Sequence, residues 1–169
     1  MTGLLALTAL TSALHMQVDE AKAKVEAKVM AALTATKLNF TKSESGLSFV
    51  GEFDHLNGRK RRIYIATGAT TLQNIQSHVV YTTVLVCGKT PPSEKQLLLT
   101  ASSARKLGAF YLYKDKADVY AIRFSAHFDS ALLSPNPSST DPTVENLKDL
   151  IYFVNQVGEE ASLLLEKGD

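Results

Sequence analysis

Residues 78–87 read His78-Val79-Val80-Tyr81-Thr82-Thr83-Val84-Leu85-Val86-Cys87, a run that is almost continuously apolar or β-branched, with no Gly or Pro before Gly88 closes it. Val, Thr and Tyr suit a pleated, buried surface, and strong helix formers are nearly missing. The run therefore predicts the central strand of a sheet with both faces covered. The rest of the chain has to supply that cover.

Upstream, Thr70 to Ser77 reads as a polar connection with room for a short helical turn. Before it, Leu47, Phe49, Gly51 and Phe53 alternate with Ser48, Val50 and Glu52, the period of a strand with one buried face. The Asn57-Gly58 dipeptide then provides the positive φ that a tight hairpin needs, so Leu47 to Phe53 is expected to pair with Arg62 to Thr67. With the central strand this makes an antiparallel meander. Ser43 to Gly46 is turn chemistry, and Asn39 to Thr41 leaves room for a short strand. Still further upstream, Val18, Ala21, Val25, Val29, Ala32 and Leu33 recur at helical spacing between Val18 and Thr36, with Asp19 and Glu20 in the first turn.

Downstream, Thr90 is in place to cap and Pro91 to open a second helix that runs to about Leu107, stopped by Gly108, with Leu97, Leu98, Ala101, Ala104 and Leu107 on one face. Ala109 to Tyr113 and Val119 to Phe124 follow as a hairpin around the charged Lys114–Asp118 turn. Ser134 to Pro142 is a loop by composition, and Asp141-Pro142 starts a last helix to about Leu165. Its stripe is Val144, Leu147, Ile151, Val154, Ala161 and Leu165, and Gly158 is expected to weaken it by about 1 kcal/mol relative to Ala. The fold class is thus α+β: an antiparallel sheet of about five strands, order α-β-β-β-α-β-β-α, with the helices mainly on one face.

Length and composition bound the rest. A chain of 169 residues with 45% hydrophobic content suits one globular domain, read as residues 18–169 behind an apolar arm over 1–17. The arm, Met1 to Leu14, lacks a basic n-region and is too short to span a bilayer. It is read as a helix or loose arm packed on the domain or a second subunit, with a cleaved signal and export as the minority alternative, and Met16 as another possible start. The 18 basic and 17 acidic residues leave a net charge of +1, which gives no global case for nucleic acid or an anionic membrane. A single cysteine, Cys87, excludes an intramolecular disulfide and fits a cytoplasmic protein.

The element order from Val18 to Leu165 resembles the type III secretion (Tir) chaperone-like fold, which includes the YbjN-like bacterial and cyanobacterial proteins. The neutral charge and the N-terminal arm put the chain nearer the YbjN-like branch than the dedicated chaperones. The resemblance implies a homodimer that holds an extended segment of another protein, and in the YbjN-like branch a regulatory role.

The residues themselves offer few chemical handles. Arg59, Lys60, Arg61 and Arg62 form the one dense charge cluster, readable as an anion patch or as charges that keep a strand entrance soluble. His15, His55, His78 and His127 have no metal-ligand spacing, and GxSxG, SxxK, GxGxxG and P-loop patterns are missing, so no catalytic residue, metal or cofactor is expected. Cys87 is read as a small core hydrophobe. Tyr111, Tyr113, Tyr120, Phe124 and Phe128 concentrate aromatics on the second hairpin, either as a protein-binding surface or with alternate members in the core. The reading is a non-enzymatic, homodimeric protein-binding domain. A small-ligand sensor or enzyme with a site formed only in three dimensions is the alternative, and nucleic-acid binding through Arg59–Arg62 a weaker one.

Overall fold

The computed structural model describes residues 20–55, 58–72, 75–102 and 107–167. The readings of the arm over 1–17, of His15, Val18 and Asp19, of Asn57 and of Ala104 lie outside them. Helix α1, over 20–35, leads into strands β1 (Phe40–Lys42), β2 (Ser48–Asp54), β3 (Lys60–Ala66), β4 (Thr70–Leu72) and β5 (Ile75–Gly88). Helix α2 (Glu94–Ser102), strands β6 (Ala109–Lys114) and β7 (Tyr120–Asp129), a 3-10 turn (Ser130–Leu132) and helix α3 (Pro142–Lys167) complete the order. The fold is α+β, and the sheet is antiparallel with strand order β1-β2-β3-β5-β7-β6, β4 adding a short pairing to β5.

The central strand is longer than its sequence signature. Thr70 to Ser77 is not a polar connection: Thr70–Leu72 pairs with Ile75–Ser77, so β5 begins at Ile75. Thr70, Thr71 and Ile75 are β-branched, and in the sheet that preference outweighs the polarity of the segment. On one edge of β5, Ile63–Ile65 of β3 pairs with Val80–Thr82, and on the other β7 pairs along nearly its whole length. Register shifts occur between Thr83 and Leu85 and between Val86 and Gly88. Past them the strand leaves the core: Val86 is exposed and Cys87 half-buried, so Cys87 is not the core residue expected, although burial still pushes its thiol above the ordinary value.

Phe49, Ile63, Ile65, Val80, Ile122, Phe124 and Ala126 share one sheet face and form a single core with Val29, Ala32 and Leu33 of α1 and the buried stripe of α3. All six α3 positions read from the sequence are buried. Asp141 caps α3, its carboxylate accepting from the Thr143 N–H (2.9 Å) and Thr143 hydroxyl (2.7 Å), and these bonds hold its pKa below the usual range. Gly158 has a packing reason: a Cβ there would stand 2.5 Å from Thr82 Cγ2. Gly51 has one too, since the Phe40 ring lies 2.9 Å from where its Cβ would be, and the two residues face each other across β1 and β2.

Three expectations about faces fail. Leu47 precedes β2 and is exposed rather than buried. In α1, residues 20–24 are exposed and Val25 is only half-buried, so Ala21 contributes nothing and the helix joins the core from Val29 onward. In α2, Leu97 and Leu98 are exposed while Leu99 packs on the core and Thr100 is buried. The helix begins at Glu94, not Pro91, because Ser93 and Gln96 form a capping box: Ser93 Oγ accepts from Gln96 N–H (3.3 Å), and Gln96 Oε1 from Ser93 N–H (2.9 Å). Among the described residues, no helix is long and apolar enough to cross a membrane.

Candidate binding face

Buried residues of α1 and α3 form one core on one side of the sheet, and the half-buried Leu99 of α2 packs against it. The expectation that both faces of the central strand are covered is therefore not met among the described residues. The other face carries the alternate positions of four strands: Arg62 and Tyr64 on β3, Tyr81 and Thr83 on β5, Arg123 and Ser125 on β7, Tyr111 and Tyr113 on β6. Register aligns them, with Tyr64 opposite Tyr81, Tyr81 opposite Ser125, Thr83 opposite Arg123, and Arg123 opposite Tyr111.

These side chains pack on one another. Tyr64 and Tyr81 stack with ring centroids 5.1 Å apart and planes 13° from parallel. The Arg123 guanidinium carbon lies 5.0 Å from the Tyr81 ring centre and 3.4 Å from that of Tyr113, so the cation is held between two rings. Its Nε is buried without a hydrogen-bond partner, and among the described residues it makes no ion pair. Burial pushes the Tyr81 phenol above its ordinary value, opposed by the nearby Arg123 charge. An ordinary solvated sheet face alternates core residues with small or freely hydrated polar ones. Here it carries four tyrosines, all half-buried, and a cation without a counter-charge.

The five aromatics read from the second hairpin separate. Tyr111 and Tyr113 lie on the open face. Phe124 is fully buried, in contact with Phe110 and Phe153. Phe128 stacks on His78, and Tyr120 lies at the strand end under the Lys114 ammonium. Phe124 therefore belongs to the core, because period two sends alternate residues of one strand to opposite faces. The sequence reading missed Tyr64 and Tyr81, which belong to other strands. Alternation within β3 and β5 marks them, but only pairing shows that they meet Arg123.

The four cations also separate. Arg59 pairs with Glu166 (2.6 Å), and Arg62 (2.9 Å) and Lys60 (3.8 Å) share Glu52. Arg61 points the other way, toward α3, where it donates to Glu159 (3.0 Å), Ser162 Oγ (2.8 Å) and the Thr83 carbonyl (2.9 Å). Nearby, His55 Nε2 lies 3.0 Å from Asn155 Oδ1. The cluster is not one anion patch: strand alternation splits it, and carboxylates neutralise most of it.

A cavity of about 270 Å³ opens between β7, the 3-10 turn and α3, walled by Phe128, Leu132, Leu133, Leu147 and Leu150. His127 and Asp129 reach it, but both have structural partners. Asp129 accepts from the N–H groups of Gln76 (3.1 Å) and Ala131 (2.9 Å), and His127 Nδ1 lies 2.9 Å from Ser77 Oγ. Among the described residues no group of three potential metal ligands converges. In comparisons with known proteins, no family model matches the chain, and no curated protein or solved structure matches it significantly.

Proposed function

We propose that this chain is a non-enzymatic protein-binding domain that holds an extended segment of another protein on the open face of its sheet. The observation that carries the reading is the placement of all three helices on one side, which leaves Tyr64, Tyr81, Tyr111, Tyr113 and Arg123 without a described cover. Tyrosine and arginine are the side chains most enriched where proteins meet, because each joins a large apolar surface to a polar end. This keeps the role implied by the secretion-chaperone-like element order and rests it on a surface. A photo-crosslinking residue in place of Tyr111 is expected to give partner adducts in native extract, whereas the same residue in place of the exposed Tyr152 of α3 is not. Equal labelling from both positions, or none from either, overturns the reading.

The second reading, a small-ligand site, attaches to the cavity beside Phe128. It is slightly below the roughly 300–1,000 Å³ of ordinary ligand pockets. Its titratable groups, His127 and Asp129, are already engaged, so the open face is favoured.

A further inference from the structure

We infer that the segment held on the open face is acidic and that one of its carboxylates pairs with Arg123. This deepens the protein-binding reading and rests on it. A guanidinium with a buried, unpartnered Nε and no ion pair among the described residues lacks the anion that would compensate its loss of hydration. The two flanking tyrosine rings fix its plane, so the fork of N–H groups is oriented before a ligand arrives.

The neighbouring charges leave that cation as the unmatched one. Lys60 and Arg62, on the same face, pair with Glu52, and Asp54 stands directly opposite Lys60 in the β2–β3 register, so two carboxylates match two cations there. Arg62 and Thr83 line the same depression and Thr83 is opposite Arg123, so the unmatched charge among the described residues of this face lies at Arg123. Charge decides the occupant. A second copy stacked face to face would present the same unmatched cation and no spare carboxylate, whereas an acidic segment supplies the missing anion.

Nucleic acid fits less well. One unmatched cation neutralises few phosphates, and affinity for a polyanion scales with that number. The rings are also taken, Tyr64 and Tyr81 by each other and Tyr113 by Arg123, so no ring pair stands open to receive a base.

The test is fluorescence anisotropy with three labelled probes: a ten-residue alternating Glu-Val peptide, its Gln-Val counterpart, and an oligothymidylate of equal length. The Glu-Val peptide is expected to bind at least tenfold more tightly than the Gln-Val peptide, with affinity falling as salt rises. Arg123→Gln should lose at least tenfold for Glu-Val and leave Gln-Val unchanged. Thr83→Glu is the second variant: it places a carboxylate opposite Arg123, and is expected to raise the melting temperature while weakening Glu-Val binding at least tenfold. Equal affinity for the two peptides, no Glu-Val binding at millimolar concentration, unchanged Glu-Val binding in a folded Arg123→Gln protein, tighter binding of oligothymidylate, or self-association through this face overturns the inference. Adducts from position 111 together with equal peptide affinities would leave protein binding standing and remove only the acidic partner.

Discussion

At the residue scale, His78 shows how one polar group inside the core links stability to pH. Its ring is fully buried and stacked on Phe128 with centroids 5.3 Å apart. Because Nδ1 lies 2.8 Å from the Ala66 carbonyl, an acceptor, Nδ1 carries the proton and Nε2 is the unprotonated nitrogen, buried without a partner. Desolvation holds its pKa below the ordinary value, so the folded protein takes up this proton at lower pH than the unfolded chain does. The resulting stability is complete above about pH 6.5 and is lost as pH falls through the folded value. Urea midpoints measured from pH 7.5 to 5 should therefore decline, and the slope should flatten in His78→Gln, whose amide can still donate to Ala66. A slope unchanged by the substitution would assign the pH dependence to another group. Gly158 is the converse case, where the sequence shows a helix weakness and packing supplies its reason. Alanine there gains about 1 kcal/mol of helix propensity but meets Thr82 in a closed core, a cost of about 1–3 kcal/mol. Gly158→Ala is expected to destabilise, and Thr82→Ser, which removes the obstructing methyl, to recover most of the loss in chemical denaturation.

At the element scale, α3 is tied to the sheet by an ion pair as well as by its apolar stripe. The Arg61 and Glu159 side chains are only 10% and 14% exposed, and Ser162 bridges Arg61 to the Val84 carbonyl (2.8 Å). Breaking one member leaves the other as a buried uncompensated charge, so Arg61→Met should cost about 3–5 kcal/mol. The double variant Arg61→Met, Glu159→Leu should cost clearly less than the sum of the single ones, as measured by a double-mutant cycle. If the losses simply add, the pair is not coupled. This tie was not legible in the sequence, where Arg61 belonged to a run of four cations and Glu159 lay nearly a hundred positions away. What was legible followed local rules. Asn57-Gly58 marked the first hairpin, Asp141-Pro142 the start of α3, and alternation the strand that carries Phe49. The misreadings arose where two local signals competed, as between Thr90 and Ser93 for the start of α2, or where neighbouring strands decided, as in β4.

At the scale of the whole molecule, stability should fall from the centre of the sheet outward. Strand β5 is paired on both edges and covered by α3, whereas β1 and β4 are three-residue strands and α2 presents Leu97 and Leu98 to solvent. Amide hydrogen exchange should be slowest in β5 and β7 and fast in β1, β4 and α2, and strong protection of α2 would contradict this order. Such a gradient leaves Tyr81 and Arg123, at the centre of the open face, on the stiffest strands, as a preformed binding surface requires. The sequence by itself determined the fold class, most of the elements and the buried stripe of α3, because each follows from hydrophobic period and turn chemistry within a short stretch. Tertiary structure alone decided the candidate site. Tyr64, Tyr81, Tyr113 and Arg123 come from four strands, and their meeting depends on strand order, register and the choice of one sheet face by all three helices. The run from His78 to Cys87 is thus a core strand on one side only, and its other side, through Tyr81, forms the middle of the surface to which function is assigned.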